Sequence, residues 1–404
     1  MSRILRRKFL KQSAILSAGT ALGFPLIGGA QPAPIKVGVL MPLTGPLSFP
    51  GQQSKAGAEM AIDEINAGGG IKSLGGAKIE GLYADAQSKP EVGAAEVDKL
   101  KEAGVAAIMG SYASAITLAT TQAAAKHNIP FVIDQGVAEQ IVQRGLKNIF
   151  RFGPGYDMVV TAGINYLHIL NNLAGKPIRR VMLVHEESLF GTGTAAQIAR
   201  DLPQMGYEVV EVIKHANPTR DFSNIVLRIK SRNPDLLIPS SYLNEYVLLV
   251  RTLRQQKVSL KAIYSIFGGG GSNPKVVKDF PNEVNQIMDC NHWYNPKNPK
   301  ALQVRKRAES KGLFFTHELL MGYTATMLLG DALERAKSVK NDAIIDALAS
   351  STWSGHIMPY GPTKFVGAQN QGAQPLVTQY LDRDVKVVLP NTYAQTQPVF
   401  PMHV

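Results

Sequence analysis

One stretch, residues 35–71, constrains the fold of this chain more than any other. Residues 35–41 are apolar, rich in β-branched side chains and bounded by Pro42, the signature of a buried strand. Residues 42–51 hold three prolines and two glycines, which makes a shaped loop rather than a floppy one. A helix is expected from Gln52, with Ala58, Ala61, Ile62 and Ile65 at helical spacing and Gly68-Gly69-Gly70 as its stop. Strand, loop, helix puts the loop at the carboxyl end of the strand. Open α/β sheets hold ligands there, against the positive end of the following helix.

The same rhythm continues. Strands are expected at 79–84, 105–109 and 131–133, with helices at 90–102 and from Ser114 to about His127. Units of this length force parallel pairing and right-handed crossovers, giving a doubly wound sheet. The rhythm breaks at 150–155 (FRFGPG), where a hinge is expected. A second series follows, with strands at 180–184, 207–213, 236–239 and 261–266 and helices at 157–173, 194–202 and 243–256. Asp221 is placed to cap a further helix. Segment 289–294 (DCNHWY) reads as a second crossing, and helices at 299–311 and 319–337 return to the first lobe. Residues 364–366 and 378–381 read as short strands, and 392–404 as an extended, loosely held tail.

The first thirty residues read as a leader, not as part of the fold. Arg6-Arg7-Lys8-Phe9-Leu10-Lys11 resembles the twin-arginine export motif. The diluted apolar stretch at 15–27 is too short to span a bilayer, and Gly28 and Ala30 offer a small-residue cleavage site. A basic start that stays attached is the alternative. No cysteine follows that stretch, which excludes a lipid anchor at that point. A leader with five basic residues and no acid leaves the remainder at +7 from +12. That excess is scattered, without an arginine-rich helix or aromatic RNA-binding motif, so nucleic acid is not an expected partner. Cys290 is the only cysteine, which rules out an intramolecular disulfide and a cysteine-based metal site. The chain after the leader is too long for one core, so two domains are expected.

The run P-L-T-G-P, aromatic, G, helix, I-N-A-G-G-G-I resembles the opening of periplasmic solute-binding proteins of branched-chain amino acid ABC transporters. The alternation after it resembles that family nearly to the carboxyl terminus. The resemblance implies an α/β fold of two doubly wound, Rossmann-like lobes joined by a three-strand hinge, the type I periplasmic binding protein. Residues 35–152 plus 294–352 would form the amino-terminal lobe, and 156–290 plus 357–395 the carboxy-terminal one. It implies a soluble periplasmic protein that binds a small amino acid, carboxylate or amide and hands it to a membrane permease, with no cofactor and no catalysis.

Carried over position by position, the resemblance places Phe49 over the ligand and Ser114 on its carboxylate. Gln135 and Val137 match positions of backbone or hydroxyl contact, although the family often has a small residue and a threonine there. Phe190 and Tyr242 match aromatics of the second lobe that close over the ligand. Other readings fit the same residues. Phe49, Phe190 and Tyr242 could pack within their own lobes, and Ser114 could act only as a helix cap.

The fifth strand-end loop departs from the family. Amino-acid binders carry a carboxylate there to pair the ligand ammonium; here the segment is Phe267-Gly268-Gly269-Gly270-Gly271. A buried, unpartnered ammonium costs several kcal/mol. Either Glu186, Glu187 or Glu245 substitutes, or the ligand has no ammonium. With Phe49, Tyr112, Phe190, Tyr242 and Trp293 available, an aromatic or bulky carboxylate is a sensible hypothesis. Gly191-Thr192-Gly193-Thr194-Ala195-Ala196 fits a loose dinucleotide fingerprint but stands too far from its strand, which keeps a nucleotide-dependent oxidoreductase as a minor alternative. A sensory receptor domain is another. No histidine–carboxylate cluster has metal spacing. His317-Glu318 opens a helix and reads as surface or lobe packing.

Overall fold

The computed structural model describes residues 32–402; the leader read above lies outside them. Among the described residues the strands form two sheets of seven. The first is built from β1 (Ile35–Met41), β2 (Ile79–Asp85), β3 (Ala107–Gly110), β4 (Phe131–Ile133) and β5 (Ile149–Arg151). The second uses β6 (Arg180–Glu186), β7 (Glu208–His215), β8 (Leu236–Ser240), β9 (Ala262–Ile266) and β10 (Met288–Asn291). Late strands complete both: β11 (Phe365–Val366) and β12 (Gln369–Asn370) join the first, β13 (Leu376–Leu381) and β14 (Asp384–Leu389) the second.

The two sheets repeat one topology. The first runs β2-β1-β3-β4-β5 and the second β7-β6-β8-β9-β10, parallel throughout. Each has its topological switch point beside its first strand. Every residue of β3, β8, β9 and β10 is buried, as expected of parallel sheets covered on both faces.

In the first half the helices are α1 (Ser48–Ala67), α2 (Pro90–Glu102), α3 (Ser114–Lys126) and the single turn α4 (Glu139–Val142). The second half has α5 (Tyr156–Leu173), α6 (Leu189–Asp201), α7 (Ser223–Arg232), α8 (Leu243–Gln255) and α9 (Pro274–Asp279). Then come α10 (Pro299–Ser310), α11 (His317–Ala336) and α12 (Asn341–Ala349). Helix α11 is sequestered along most of its length and lies against α1. Gly57 of α1 meets the Leu319 carbonyl and Gly322 of α11 meets the Ser54 carbonyl, so the two backbones approach more closely than any side chain would permit.

Several expectations are corrected. Helix α1 begins at Ser48 rather than Gln52; Pro50 is accommodated in its first turn, where no N–H is needed. Strand β6 runs on to Glu186 and α6 begins at Leu189, so Phe190, Gly191 and Gly193 lie on a helix rather than in a long loop. The reason is Glu186, whose carboxylate accepts from the Ser188 N–H and Oγ–H and the Gly191 N–H, each at 2.6 Å, and so caps the helix. Residues 365–370 belong to the first sheet, not the second; the Asn370 side chain donates to the Phe152 carbonyl and Gln369 accepts from Arg151. The chain therefore changes sheets between β12 and β13. The tail is tied down as far as Met402, whose N–H donates to the Lys261 carbonyl, while the Val399 N–H donates to Gln379 Oε1. No helix among the described residues is long and apolar enough to cross a membrane.

Candidate functional site

The carboxyl ends of β3, β4, β6, β8, β9 and β10 converge on one cavity of ≈ 40 Å³ between the two sheets. Of the six residues expected at a ligand, Ser114, Gln135, Val137, Phe190 and Tyr242 line it together. Phe49 does not. It sits in the first turn of α1, its ring 6.4 Å from that of Phe314. Trp293 is also absent from the lining; it is fully buried against Tyr294. Tyr112, Ser241, Phe267, Gly269, Asn291, His292 and His317 complete the wall. The reading of His317 as surface or lobe packing is therefore corrected: it is 4% exposed and faces the cavity. A usable signal was present, because α11 is apolar nearly all round and such a helix buries its first turn too.

Two buried aspartates hold the lining loops. Asp134 follows β4; it accepts from the Tyr112 N–H at 3.0 Å and from Ser54 Oγ at 2.8 Å. Asp289 on β10 accepts from the Gly268 N–H at 3.0 Å, Ser272 Oγ at 2.7 Å and Asn291 Nδ2 at 3.0 Å. Burial pushes both carboxyls above the ordinary range, against the pull of these bonds. Tyr112 (φ 63°) and Phe267 (φ 53°) sit in the left-handed region, which side chains seldom adopt, and both line the cavity. Strain of this kind concentrates where the surroundings over-determine a functional geometry.

Arg151 fixes the third loop. Only 1% exposed, it donates from Nη1 to the carbonyls of Val137 and Ala138 at 2.9 Å and from Nη2 to Glu139 Oε2 at 2.6 Å. Ser114 Oγ accepts from the Ala138 N–H at 3.2 Å, which leaves its own hydrogen free.

The rest of the wall is aromatic. The rings of Tyr112 and Tyr242 are 5.9 Å apart, Tyr242 and Phe190 5.3 Å, Phe190 and Phe267 6.2 Å, and Phe267 and His292 5.3 Å. Tyr112 belongs to the first sheet's loops and Tyr242 to the second's, so this band bridges both. Burial, then the nearby Glu318, pushes the Tyr112 phenol well above its usual range; burial, then Glu186, does so for Tyr242. Both are therefore neutral phenols. Burial, then His317, drives His292 well below its usual range, so it is neutral.

Residues 34–386 match the profile of the family described as periplasmic binding protein. The chain belongs to that family. The Leu/Ile/Val-binding protein homolog 8 of Brucella abortus (strain 2308) is 26% identical over 395 residues, 94% of this chain and 96% of its own length. A leucine-binding protein of Thermotoga maritima shares the fold with a TM-score of 0.74 at 22% identity, covering 87% of this chain and 97% of its own. A solute-binding protein of an ABC transporter from R. palustris, in complex with benzoate, has a TM-score of 0.76 at 18% identity, covering 90% of this chain and 98% of its own. Two parallel-dominated α/β sheets in two lobes, the periplasmic binding protein fold, are what these likenesses show. None of Glu186, Glu187 and Glu245, the acids considered as substitutes in the fifth loop, lines the cavity of this periplasmic binding protein. Glu186 is consumed by its helix cap and Glu187 is exposed.

Proposed function

We propose that this protein is the extracytoplasmic substrate-binding component of an ABC importer. One observation carries the reading: a cavity is walled by strand-end loops from both sheets, so a molecule inside it contacts both lobes at once. Such a ligand favours the closed arrangement by its differential affinity for it. The ligand is a small carboxylate, amino acid or amide. Ser114, at the start of α3, meets its acid group, and the aromatic band covers its apolar part. The ligand leaves unaltered, and the closed form docks on a membrane permease. Resemblance to the twin-arginine motif supports export of the folded protein to the periplasm. Leucine and benzoate, named for the two solved relatives, are both within the class.

A thermal-shift screen of residues 31–404 against amino acids, amides, aromatic acids and short dicarboxylates tests this. A solute at one hundred times its Kd adds about 2.7 kcal/mol, a rise in Tm of a few degrees. A screen in which no class of solute raises Tm would remove the reading.

A further inference from the structure

The cavity wall contains polar atoms that the fold leaves without partners. Gln135 is 6% exposed and its Nε2 has no hydrogen-bond partner within the protein. His292, 2% exposed, lacks a partner on both ring nitrogens, and His317, 4% exposed, lacks one on Nδ1. The great majority of buried polar side chains are satisfied, so four orphaned nitrogens on one small cavity call for an occupant. Behind the wall the Glu318 carboxylate oxygens and Trp293 Nε1, which are not in the lining, also lack hydrogen-bond partners, whereas Asn291 and Ser241 in the wall have them. Asn291 accepts from the His292 N–H at 2.8 Å and donates to Asp289, and Ser241 Oγ bonds His215 Nε2 at 2.8 Å.

Charge narrows the occupant. Among the described residues lining the cavity there is no Asp, Glu, Lys or Arg. A ligand ammonium would be buried without a carboxylate. Three acids stand behind the wall and none is in the lining: Asp289 accepts from Asn291 Nδ2 and Asp134 from the Tyr112 N–H, each at 3.0 Å, and the wholly buried Glu318 has its Oε1 3.4 Å from His317 Nε2. A carboxylate, in contrast, finds the Ser114 hydroxyl hydrogen, the two hydrogens on Gln135 Nε2 and the N–H that neutral His292 carries in either tautomer. Resting on the solute-binding function proposed above, we propose that Gln135, His292 and His317 contact the ligand directly, and that it is a small carboxylate without an ammonium group.

Matched pairs differing only by that group give the test: 3-phenylpropanoate against L-phenylalanine, and 4-methylpentanoate against L-leucine, each titrated calorimetrically. At least one desamino acid is expected to bind more than about a hundredfold tighter than its amino acid, as a buried unpaired ammonium requires. Gln135→Glu, nearly isosteric, should weaken the desamino acid at least a hundredfold and narrow the gap to its partner. His292→Phe and His317→Gln should each weaken it about tenfold, with circular dichroism and Tm confirming a folded protein. A purely structural residue would not change the ratio within a pair. Amino acids binding as tightly as their desamino partners, or folded variants that leave the ratio and affinity unchanged, would overturn the inference and leave the importer reading intact. So would failure of both pairs when an amide or an amino acid raises Tm and no carboxylate lacking an ammonium does. Failure of every solute class would remove both.

Discussion

Asp85 shows how one side chain sets the shape of a strand-end loop. Its Oδ1 accepts from the N–H groups of Leu43 at 2.8 Å and Gln87 at 2.7 Å, and its Oδ2 from Thr44 Oγ1 at 2.6 Å. It thereby folds the proline-rich loop after β1 onto the end of β2. Partial burial alone would raise its pKa, but the hydrogen bonds from Thr44, Gln87 and Leu43 outweigh it and hold the carboxyl below its ordinary value. A depressed folded-state pKa means stabilisation that is present above the unfolded value, near 4, and lost as pH falls through the folded one. Asp85→Asn should cost about 1–2 kcal/mol at pH 7. In urea melts the gap to wild type should close as pH drops below about 4. A gap that stays constant across that range would remove the charge from the explanation. Arg151 acts likewise on the loop carrying Gln135 and Val137, but through a guanidinium that burial, against Glu139, pushes below its ordinary range.

At the scale of elements, the α1–α11 pair decides where His317 stands. A Cβ added at Gly57 would lie 2.1 Å from the Leu319 carbonyl oxygen, and one at Gly322 2.1 Å from that of Ser54. Alanine is the better helix former by about 1 kcal/mol, yet the clash is with backbone, which cannot rotate aside. Overpacking should therefore prevail. Gly57→Ala and Gly322→Ala should each destabilise by about 1–3 kcal/mol, seen as a lower denaturant midpoint with unchanged m. The double variant should cost less than the sum, because both substitutions open the same contact. A neutral Gly57→Ala would mean that α11 slides freely on α1.

Across the whole molecule, contacts between the halves lie both inside and outside the cavity. Asn244 Nδ2, at the start of α8, donates to the Pro46 carbonyl at 3.3 Å. Lys275 and Lys278 of α9 stand over the Phe314 ring at 5.8 and 5.5 Å from its centre. Phe49, its ring 6.4 Å from that of Phe314, stands with this contact and outside the cavity lining. These lysines touch nothing in the cavity, so they act on affinity only through closure. Each cation–π contact at an exposed site contributes about 0.5–1 kcal/mol. The Lys275→Ala/Lys278→Ala double variant should weaken solute binding about fivefold by favouring the open arrangement. Small-angle scattering should show a larger radius of gyration at equal solute concentration. Unchanged affinity and size would remove Phe314 from closure.

Strand–loop–helix alternation, the placement of loops at strand ends and the two-lobe division are local properties, written in apolar runs and turn residues. These made the fold legible in the chain. Five of the residues now around the cavity were reachable because each directly follows a strand or opens the next helix, where a sheet of this kind exposes its ends. His292 and His317 hold equivalent places, just after β10 and at the start of α11, but residues 289–294 read as a crossing rather than a strand, and nothing local aims the first turn of α11 at a cavity. A histidine in a cleft and one on a surface look alike in sequence, and these two meet only because β10 and α11 are brought together by pairing and packing over long separations. The same holds for the start of α1, four residues earlier than periodicity indicates, which places Phe49 on the helix and outside the cavity lining. Local sequence determined which segments are strands and helices; the meeting of two sheets determined which side chains share a cavity, because that depends on where separate strand ends point in space.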